Sequence, residues 1–96
     1  MSVLSLIAEM KAHPGKEAEL EALLRGVVEP TRAEAGCLNY DLHAAIEEPG
    51  RFVFYENWRT RAHWDAHNAS AHIARLREAG AALIAEKRIV QLTKIS

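Results

Sequence analysis

The sequence predicts an α+β fold with the element order β-α-β-β-α-β, in which helices cover one face of an antiparallel sheet. Apolar residues alternate with polar ones in three segments, and a fourth segment near the end of the chain is rich in Ile, Val, Leu and Thr. Both patterns are typical of strands. The segments between them have apolar residues at helical spacing or follow a helix-capping residue. We therefore expect one domain over residues 1–96.

The first strand is predicted over residues 3–12, and a long helix follows it. One face of the strand is wholly apolar and consists of Leu4, Leu6, Ala8, Met10 and Ala12. The helix is predicted from Lys16, with Gly36 as its terminator. Its apolar positions lie within an arc of roughly 140° and are Leu20, Leu23, Leu24, Val27, Val28 and Thr31. Pro30 removes an internal hydrogen bond and should kink this helix or end its regular part.

The next two strands, residues 37–45 and 51–58, are predicted to form a hairpin around the turn Glu48-Pro49-Gly50. In the first of them Leu38, Tyr40, Leu42 and Ala44 share one face, and Asn39, Asp41 and His43 share the other. In the second, one face carries Phe52, Phe54, Glu56 and Trp58, and the opposite face carries Val53, Tyr55 and Asn57.

Two short helices and a last strand complete the predicted fold. Thr60 is the expected N-cap of a helix over residues 61–68, and Ser70 that of a helix over residues 71–79. Gly80 interrupts the pattern, and a strand is predicted over residues 83–95. The order of elements is the ferredoxin-like arrangement.

Composition excludes several classes of function. The chain has 12 basic and 13 acidic residues and a net charge of −1, without the basic face that nucleic acid requires. No apolar run approaches the ~18–20 residues of a membrane span. Glu9 interrupts the N-terminal apolar stretch early, which argues against a signal peptide. The single cysteine, Cys37, cannot form an internal disulfide, and we expect a cytoplasmic protein.

Several stretches resemble signatures of the antibiotic biosynthesis monooxygenase family. They are Gly36-Cys37-Leu38-Asn39-Tyr40-Asp41-Leu42-His43, and Tyr55-Glu56-Asn57-Trp58 followed by Ala62, His67, Ser70 and His72. Pro14-Gly15-Lys16-Glu17 and Thr31-Arg32-Ala33-Glu34 fit the family as well. The resemblance covers nearly the whole chain, and its element order agrees with the one predicted from periodicity.

The resemblance implies a homodimer, the dimeric α+β barrel, in which two sheets meet face to face. Each subunit then keeps a pocket between its own sheet and helices. Family members include oxygenases of quinols and aromatic polyketides that need neither metal nor flavin. Others process a phosphorylated signalling sugar or break down haem, and many have no established activity.

Oxygenation without a cofactor has a definite chemical requirement. The substrate must itself become a good electron donor for O2, as a quinol or phenol does once it is deprotonated. The protein must therefore supply an apolar slot for a flat ring, a base near the hydroxyl group and hydrogen-bond donors for the developing anion. Aromatic, imidazole and amide side chains that meet this need cluster at Tyr55, Asn57, Trp58, Trp64, His67 and His72.

We expect His67 and Glu56 to be the catalytic residues. An unperturbed imidazole titrates near pH ~6.5, so His67 needs little tuning to act as a base. The alternative is a structural histidine bonded to a backbone carbonyl or to Glu56. Glu56 shares a strand face with aromatic residues, and burial would raise its pKa toward that of a general base. Its alternative is a salt bridge to Arg32, Arg59 or Arg88.

The expected substrate-binding residues are His43, Tyr55, Asn57, Trp58, Trp64 and His72. The two tryptophans are either walls of a ring-stacking pocket or part of the core. His72 either lines the pocket mouth or packs at a helix start, and His43 is either in the site or at the dimer interface. Tyr55 and Asn57 point away from Glu56, which leaves open which sheet face carries the pocket.

We expect no metal and no cofactor. His63 and His67 are spaced like two ligands on one helix face, and Glu56 could complete a set of two histidines and one carboxylate. However, no Glu lies between the histidines as in a zinc-protease helix, and His63 is not part of the family pattern.

The leading hypothesis is a cofactor-independent monooxygenase that acts with O2 on a quinol or a related small aromatic compound. One alternative is an isomerase or degrading enzyme for a small signalling metabolite, which would favour a polar, cation-lined pocket. A second is a non-catalytic dimeric module that binds a small apolar molecule. Haem degradation is disfavoured, because the first strand lacks the Asn that such enzymes use and the last helix offers Arg75 or Arg77 in place of their histidine.

Overall fold

A computed structural model describes residues 3–96 of the chain. Within these residues the elements are β1 (Leu4–Ala12), α1 (Glu17–Arg25), α2 (Val28–Arg32), β2 (Cys37–Ala44), β3 (Arg51–Trp58), α3 (Arg61–Asn68), α4 (Ala71–Gly80) and β4 (Ile84–Leu92). The strands form one sheet in the order β2-β3-β1-β4, and every neighbouring pair is antiparallel. The ferredoxin-like prediction is therefore confirmed, with each helical segment divided into two helices.

The helices lie on one side of the sheet. We call this side the covered face. Its central residues are Leu6 of β1, Phe54 of β3 and Tyr40 of β2, which are all buried with Leu20 and Leu24 of α1. Because β1 alternates strictly between buried and half-buried positions, its apolar face packs against the helices as predicted.

On the opposite side of the sheet the described residues form no helix, and we call this side the open face. The register between β1 and β3 pairs Ser5 with Asn57 and Ile7 with Tyr55 on this face. Exposed apolar side chains on it include Tyr55 and Leu92. A sheet with one covered and one open face needs a partner for its apolar open positions, or must leave them in water.

The first helical segment breaks earlier than Pro30. Helix α1 ends at Arg25, and α2 begins at Val28. A proline ring clashes with the carbonyl group four residues before it, which here belongs to Gly26. Pro30 therefore breaks the helix at Gly26 and Val27, one turn before the proline itself.

A bulge in β2 changes the side on which Leu38 lies. The register with β3 shifts between Cys37 and Asn39, so that Cys37 lies opposite Trp58 and Asn39 lies opposite Asn57. Leu38 is consequently exposed, and the expectation that it shares a face with Tyr40 was wrong. Cys37 packs against the core in its place.

The last two helices begin as predicted. The Thr60 hydroxyl accepts a hydrogen bond from the backbone N–H of His63 at 3.2 Å, and the Ser70 hydroxyl accepts one from Ile73 at 3.4 Å. The final strand ends at Leu92, before the predicted end at residue 95.

None of the helices in residues 3–96 has the length and apolar character needed to cross a membrane.

Gly36 should be essential for the junction between the α2 segment and β2. It has a φ of +80°, and a Cβ placed on it would overlap with Cγ of His63. We expect Gly36→Ala to lower the free energy of unfolding by about 2 to 4 kcal/mol, from backbone strain and overpacking together. Urea denaturation measures this loss.

Gly15→Ala is the matched control. Gly15 has a similar φ of +86°, but no heavy atom lies within 4 Å of its added Cβ. This variant should lose only the backbone cost of about 1 to 2 kcal/mol. Equal losses in the two variants would show that the contact with His63 contributes nothing.

Candidate active site

A cavity of about 100 Å³ lies between the covered face of the sheet and helices α3 and α4. Its walls are mostly apolar and come from all four strands and both helices, including Leu6, Phe54 and Ile73. The polar side chains at its inner wall are Glu56 of β3 and His67 of α3. The cavity therefore brings together the two residues predicted to be catalytic.

His67 is held in a defined orientation at the end of α3. Its Nδ1 lies 2.7 Å from Oε2 of Glu34, and its ring packs against Tyr40 and Trp58 at centroid distances of 5.4 and 4.8 Å. Within residues 3–96, Nε2 of His67 has no hydrogen-bond partner. Every fully buried side-chain nitrogen or oxygen in this range does have a partner, so Nε2 is not fully buried. We conclude that Nε2 is the nitrogen that can be reached from the cavity.

Glu34 is the site residue that the sequence-based prediction missed. It follows α2, and its Oε2 contacts both Nδ1 of His67 and Nε2 of His72, the latter at 3.0 Å. The Thr31 hydroxyl lies 3.1 Å from the same nitrogen of His72. The only sequence signal for Glu34 was its place in the run Thr31-Arg32-Ala33-Glu34, which resembles the family.

The environment of His67 favours its neutral form. Burial lowers the pKa of His67 below its usual value of 6.5, and the Glu34 carboxylate offsets this effect only in part. At neutral pH the ring therefore carries one proton. The carboxylate of Glu34 favours that proton on Nδ1, which leaves a lone pair on Nε2.

Glu56 is buried and has no cationic partner within residues 3–96. Its side chain is 3% exposed, and Oε1 accepts a hydrogen bond from Nε1 of Trp58 at 3.0 Å. Burial raises the pKa of Glu56 to about 7, although the Trp58 hydrogen bond opposes the shift. The alternative of a salt bridge is not realised, because Arg32 pairs instead with Glu29 and Asp41.

The other arginines considered for Glu56 are also elsewhere. Arg88 lies opposite Glu9 in the sheet register, on the open face, and Arg59 has no salt bridge within residues 3–96. His67 likewise bonds to Glu34 and not to Glu56, which was the structural alternative weighed for it.

The two tryptophans have different positions. Trp58 is completely buried. Its ring packs against His67 and its Nε1 donates a hydrogen bond to Glu56, so it positions both side chains without lining the cavity. Trp64 of α3 is half-buried and forms part of the cavity wall. Of the two tryptophans, only Trp64 is therefore available to stack on a bound ring.

Besides Trp58, four predicted substrate-binding residues lie outside the cavity wall. Tyr55, Asn57 and His43 are on the open face, where the Asn57 amide donates to Oδ1 of Asn39 at 2.8 Å and its Oδ1 accepts from Ser5. His72 lies behind His67, against Glu34, and is not part of the cavity wall. A strand presents alternate residues to opposite faces, which separates Tyr55 and Asn57 from Glu56.

One group of side chains could hold a divalent metal ion. The ligand atoms of Glu34, His67 and His72 lie within 4.8 Å of one another, and two imidazoles with a carboxylate suit several transition metals. The set considered from sequence differs, since Nδ1 of His63 is bonded to the Thr60 hydroxyl at 2.8 Å. Hydrogen bonds without a metal account equally well for the contacts of Oε2 of Glu34 with Nδ1 of His67 and Nε2 of His72.

Comparisons with solved structures agree with this fold over its whole length. PA3566 from Pseudomonas aeruginosa superposes with a TM-score of 0.96 at 38% identity, and the match covers 100% of this chain and 97% of that one. Rv0793 from Mycobacterium tuberculosis superposes with a TM-score of 0.92 at 31% identity, over 99% of this chain and 97% of that one. Rv0793 carries a provisional name as a monooxygenase.

Sequence comparison extends this result. The sll1783 protein of Synechocystis is 32% identical over 87 residues, which make up 91% of this chain. The matched region spans 59% of the length of that protein. Residues 3–79 also match the family described as antibiotic biosynthesis monooxygenase. The chain therefore belongs to the antibiotic biosynthesis monooxygenase family.

Proposed function

We propose that this protein is a cofactor-independent monooxygenase of small phenolic compounds such as quinols, with His67 as the general base. One observation carries the proposal. His67 is anchored through Nδ1 to a carboxylate, and its other nitrogen is unbonded at the wall of an apolar cavity. A carboxylate that orients a histidine and stabilises its protonated form is a recurrent arrangement for general-base catalysis.

The proposed reaction begins with proton transfer from a substrate hydroxyl to Nε2 of His67. The phenolate can then donate electrons to O2 without a metal or flavin. With a hydroquinone, one atom of O2 enters the ring as a hydroxyl group and the other leaves as water. The two electrons and two protons that form the water come from the quinol, so the product is a hydroxyquinone. Glu34 stabilises the imidazolium that forms, because its Oε2 lies 2.7 Å from Nδ1.

Glu56 provides a second proton-transfer group at the same cavity. With a pKa of about 7, it is protonated in a large fraction of molecules at neutral pH. A neutral carboxylic acid can donate a hydrogen bond to the anion that develops on the substrate or on reduced oxygen. His67 is neutral under the same conditions, with a lone pair on Nε2, so an acid and a base face one cavity.

The size of the cavity limits the substrate. A cavity of about 100 Å³ is smaller than the ~150 Å³ engineered cavity that accommodates benzene. Only one six-membered ring can therefore be enclosed, and this requires slight widening. A second ring or a substituent must extend through the mouth between α4 and β4. Single-ring hydroquinones are accordingly the first compounds to test.

A second candidate is an isomerase or degrading enzyme for a small polar metabolite. It uses the same acid and base, and it is favoured by the two cations in the cavity wall, Arg77 and Lys87. The apolar inner wall favours the aromatic substrate. Consumption of O2 distinguishes the two candidates, because isomerisation needs none.

We also propose that the protein works as a cytoplasmic homodimer joined through the open face of the sheet. Ile7, Val53 and Val90 are half-buried on this face, and Tyr55 is 43% exposed beside them. A second copy would cover these apolar side chains, and a short chain gains stability from such shared burial. The cavity lies on the other face and would remain open in the dimer.

The proposed base is tested by oxygen uptake with a panel of single-ring hydroquinones and a reduced naphthoquinone. We expect His67→Ala to reduce the rate at least tenfold, because no other imidazole lines the cavity. Equal rates for the two proteins would contradict the role of His67.

His63→Ala is the control for this experiment. His63 lies on the same helix but is bonded to Thr60 and does not line the cavity, so its variant should keep most of the activity. The wild-type assay is repeated after treatment with a chelator. A loss of uptake that Zn²⁺, Fe²⁺ or Mn²⁺ restores would favour a metal at Glu34, His67 and His72 instead.

The buried Glu56 should make stability depend on pH. Its folded-state pKa of about 7 exceeds the ordinary value of 4.5, so the folded protein retains a proton that the unfolded chain releases. The stability that protonated Glu56 contributes is fully present below about pH 4.5 and is lost as the pH rises through about 7. Relative to Glu56→Gln, the wild type should lose about 2 to 3 kcal/mol between pH 5 and pH 8. Urea denaturation of both proteins measures this difference, and a constant difference would contradict the raised pKa.

The proposed dimer is tested by light scattering at micromolar concentration. We expect a mass of about twice the 10.7 kDa of the chain, and about 10.7 kDa for Tyr55→Asp, because a charge in the centre of the open face opposes burial. Ile46→Asp is the control, since Ile46 is 98% exposed in a loop away from the sheet. A monomeric wild type would contradict the proposal.

A further inference from the structure

We infer that the mouth of the cavity binds an anionic substituent of the substrate, a carboxylate or a phosphate, through Arg77 and Lys87. The inference rests on the proposed function only in taking the cavity as the substrate site. It adds a requirement on the substrate, namely that a small apolar ring carries a negative charge on the side that faces the mouth.

The two cations belong to the elements that border the mouth. Arg77 is in the last part of α4, one turn after Ile73, whose buried side chain lines the cavity. Lys87 is on β4, opposite Met10 in the sheet register and therefore on the covered face. Both side chains are part of the cavity wall, and both are exposed at its outer end.

Neither cation is neutralised by the protein. Within residues 3–96, Arg77 and Lys87 form no salt bridge, whereas Lys11, Arg25 and Arg51 each have a carboxylate partner. The wall of the cavity contains a single carboxyl group, that of Glu56, which is bonded to Trp58. Two positive charges at an apolar opening with no protein anion between them form a site for an anion.

The arrangement separates two kinds of recognition. The enclosed part of the cavity is apolar and fits a ring, and the outer part supplies the planar fork of an arginine and the point charge of a lysine. A carboxylate and a phosphate share the charge and the oxygen acceptors that such a pair recognises. The experiment must therefore include both.

The test measures binding of three probes that differ at one position of the ring. They are 4-methylphenol, 4-hydroxybenzoate and 4-hydroxyphenyl phosphate, added without oxygen at low ionic strength and followed by calorimetry or by fluorescence of Trp64. We expect at least one anionic probe to bind ten times more tightly than 4-methylphenol. The tighter anion identifies the substituent, and added salt should reduce this advantage.

Variants assign the effect to the two cations. In the double variant Arg77→Gln/Lys87→Gln the anionic probe should lose at least tenfold in affinity, and 4-methylphenol should bind as before. The double variant Arg59→Gln/Arg75→Gln removes the same net charge at exposed positions outside the cavity wall and should change neither. Circular dichroism confirms that both variants are folded.

Three results would overturn the inference. They are equal affinity of the wild type for neutral and anionic probes, an equal loss in the two double variants, and no binding of any probe at millimolar concentration. Failure of the proposed function is recognised separately. If anionic probes bind through Arg77 and Lys87 but no hydroquinone consumes oxygen, the monooxygenase proposal fails and the anion site stands.

Discussion

The carboxylate of Glu34 is the contact on which the site depends. It lies in the connection between α2 and β2, and a single oxygen atom contacts His67 at the end of α3 and His72 at the start of α4. This atom joins the α2–β2 connection to the junction of α3 and α4, which lies 33 to 38 positions further along the chain. The contact orients the His67 ring, places its free nitrogen at the cavity and supplies a counter-charge for the protonated ring.

The cavity combines two titratable groups whose pKa values are shifted in opposite directions by burial. Burial raises the pKa of Glu56 to about 7 and lowers that of His67, because a low-dielectric environment disfavours the charged form of either group. Near neutral pH His67 is therefore largely uncharged, and a large fraction of the Glu56 side chains is uncharged as well. Uncharged polar groups are compatible with the apolar walls that hold an aromatic ring, and they still permit proton transfer in both directions.

The two faces of the sheet have different surroundings. Its covered face, packed against the helices, provides the cavity, and its open face presents apolar side chains beside the hydrogen-bonded group of Ser5, Asn39 and Asn57. The two surfaces are independent, because strand residues alternate between them. Association through the open face therefore leaves the cavity accessible, and the residues of each face can be changed without direct contact with the other.

The sequence by itself determined the fold and the position of nearly every element, and it predicted His67 and Glu56, which the tertiary structure brings to one cavity. Strand alternation predicted the burial of Glu56 and the separation of Tyr55 and Asn57 from it, and the capping hydroxyls of Thr60 and Ser70 predicted two helix starts. These features depend on neighbours in the chain, which a local pattern contains. Only the tertiary structure decided which face holds the cavity, that Trp58 supports and Trp64 lines it, and that Glu34 is the partner of His67. That pair is 33 positions apart, and such a contact arises from the packing of helices across the sheet, which no periodicity in the sequence records.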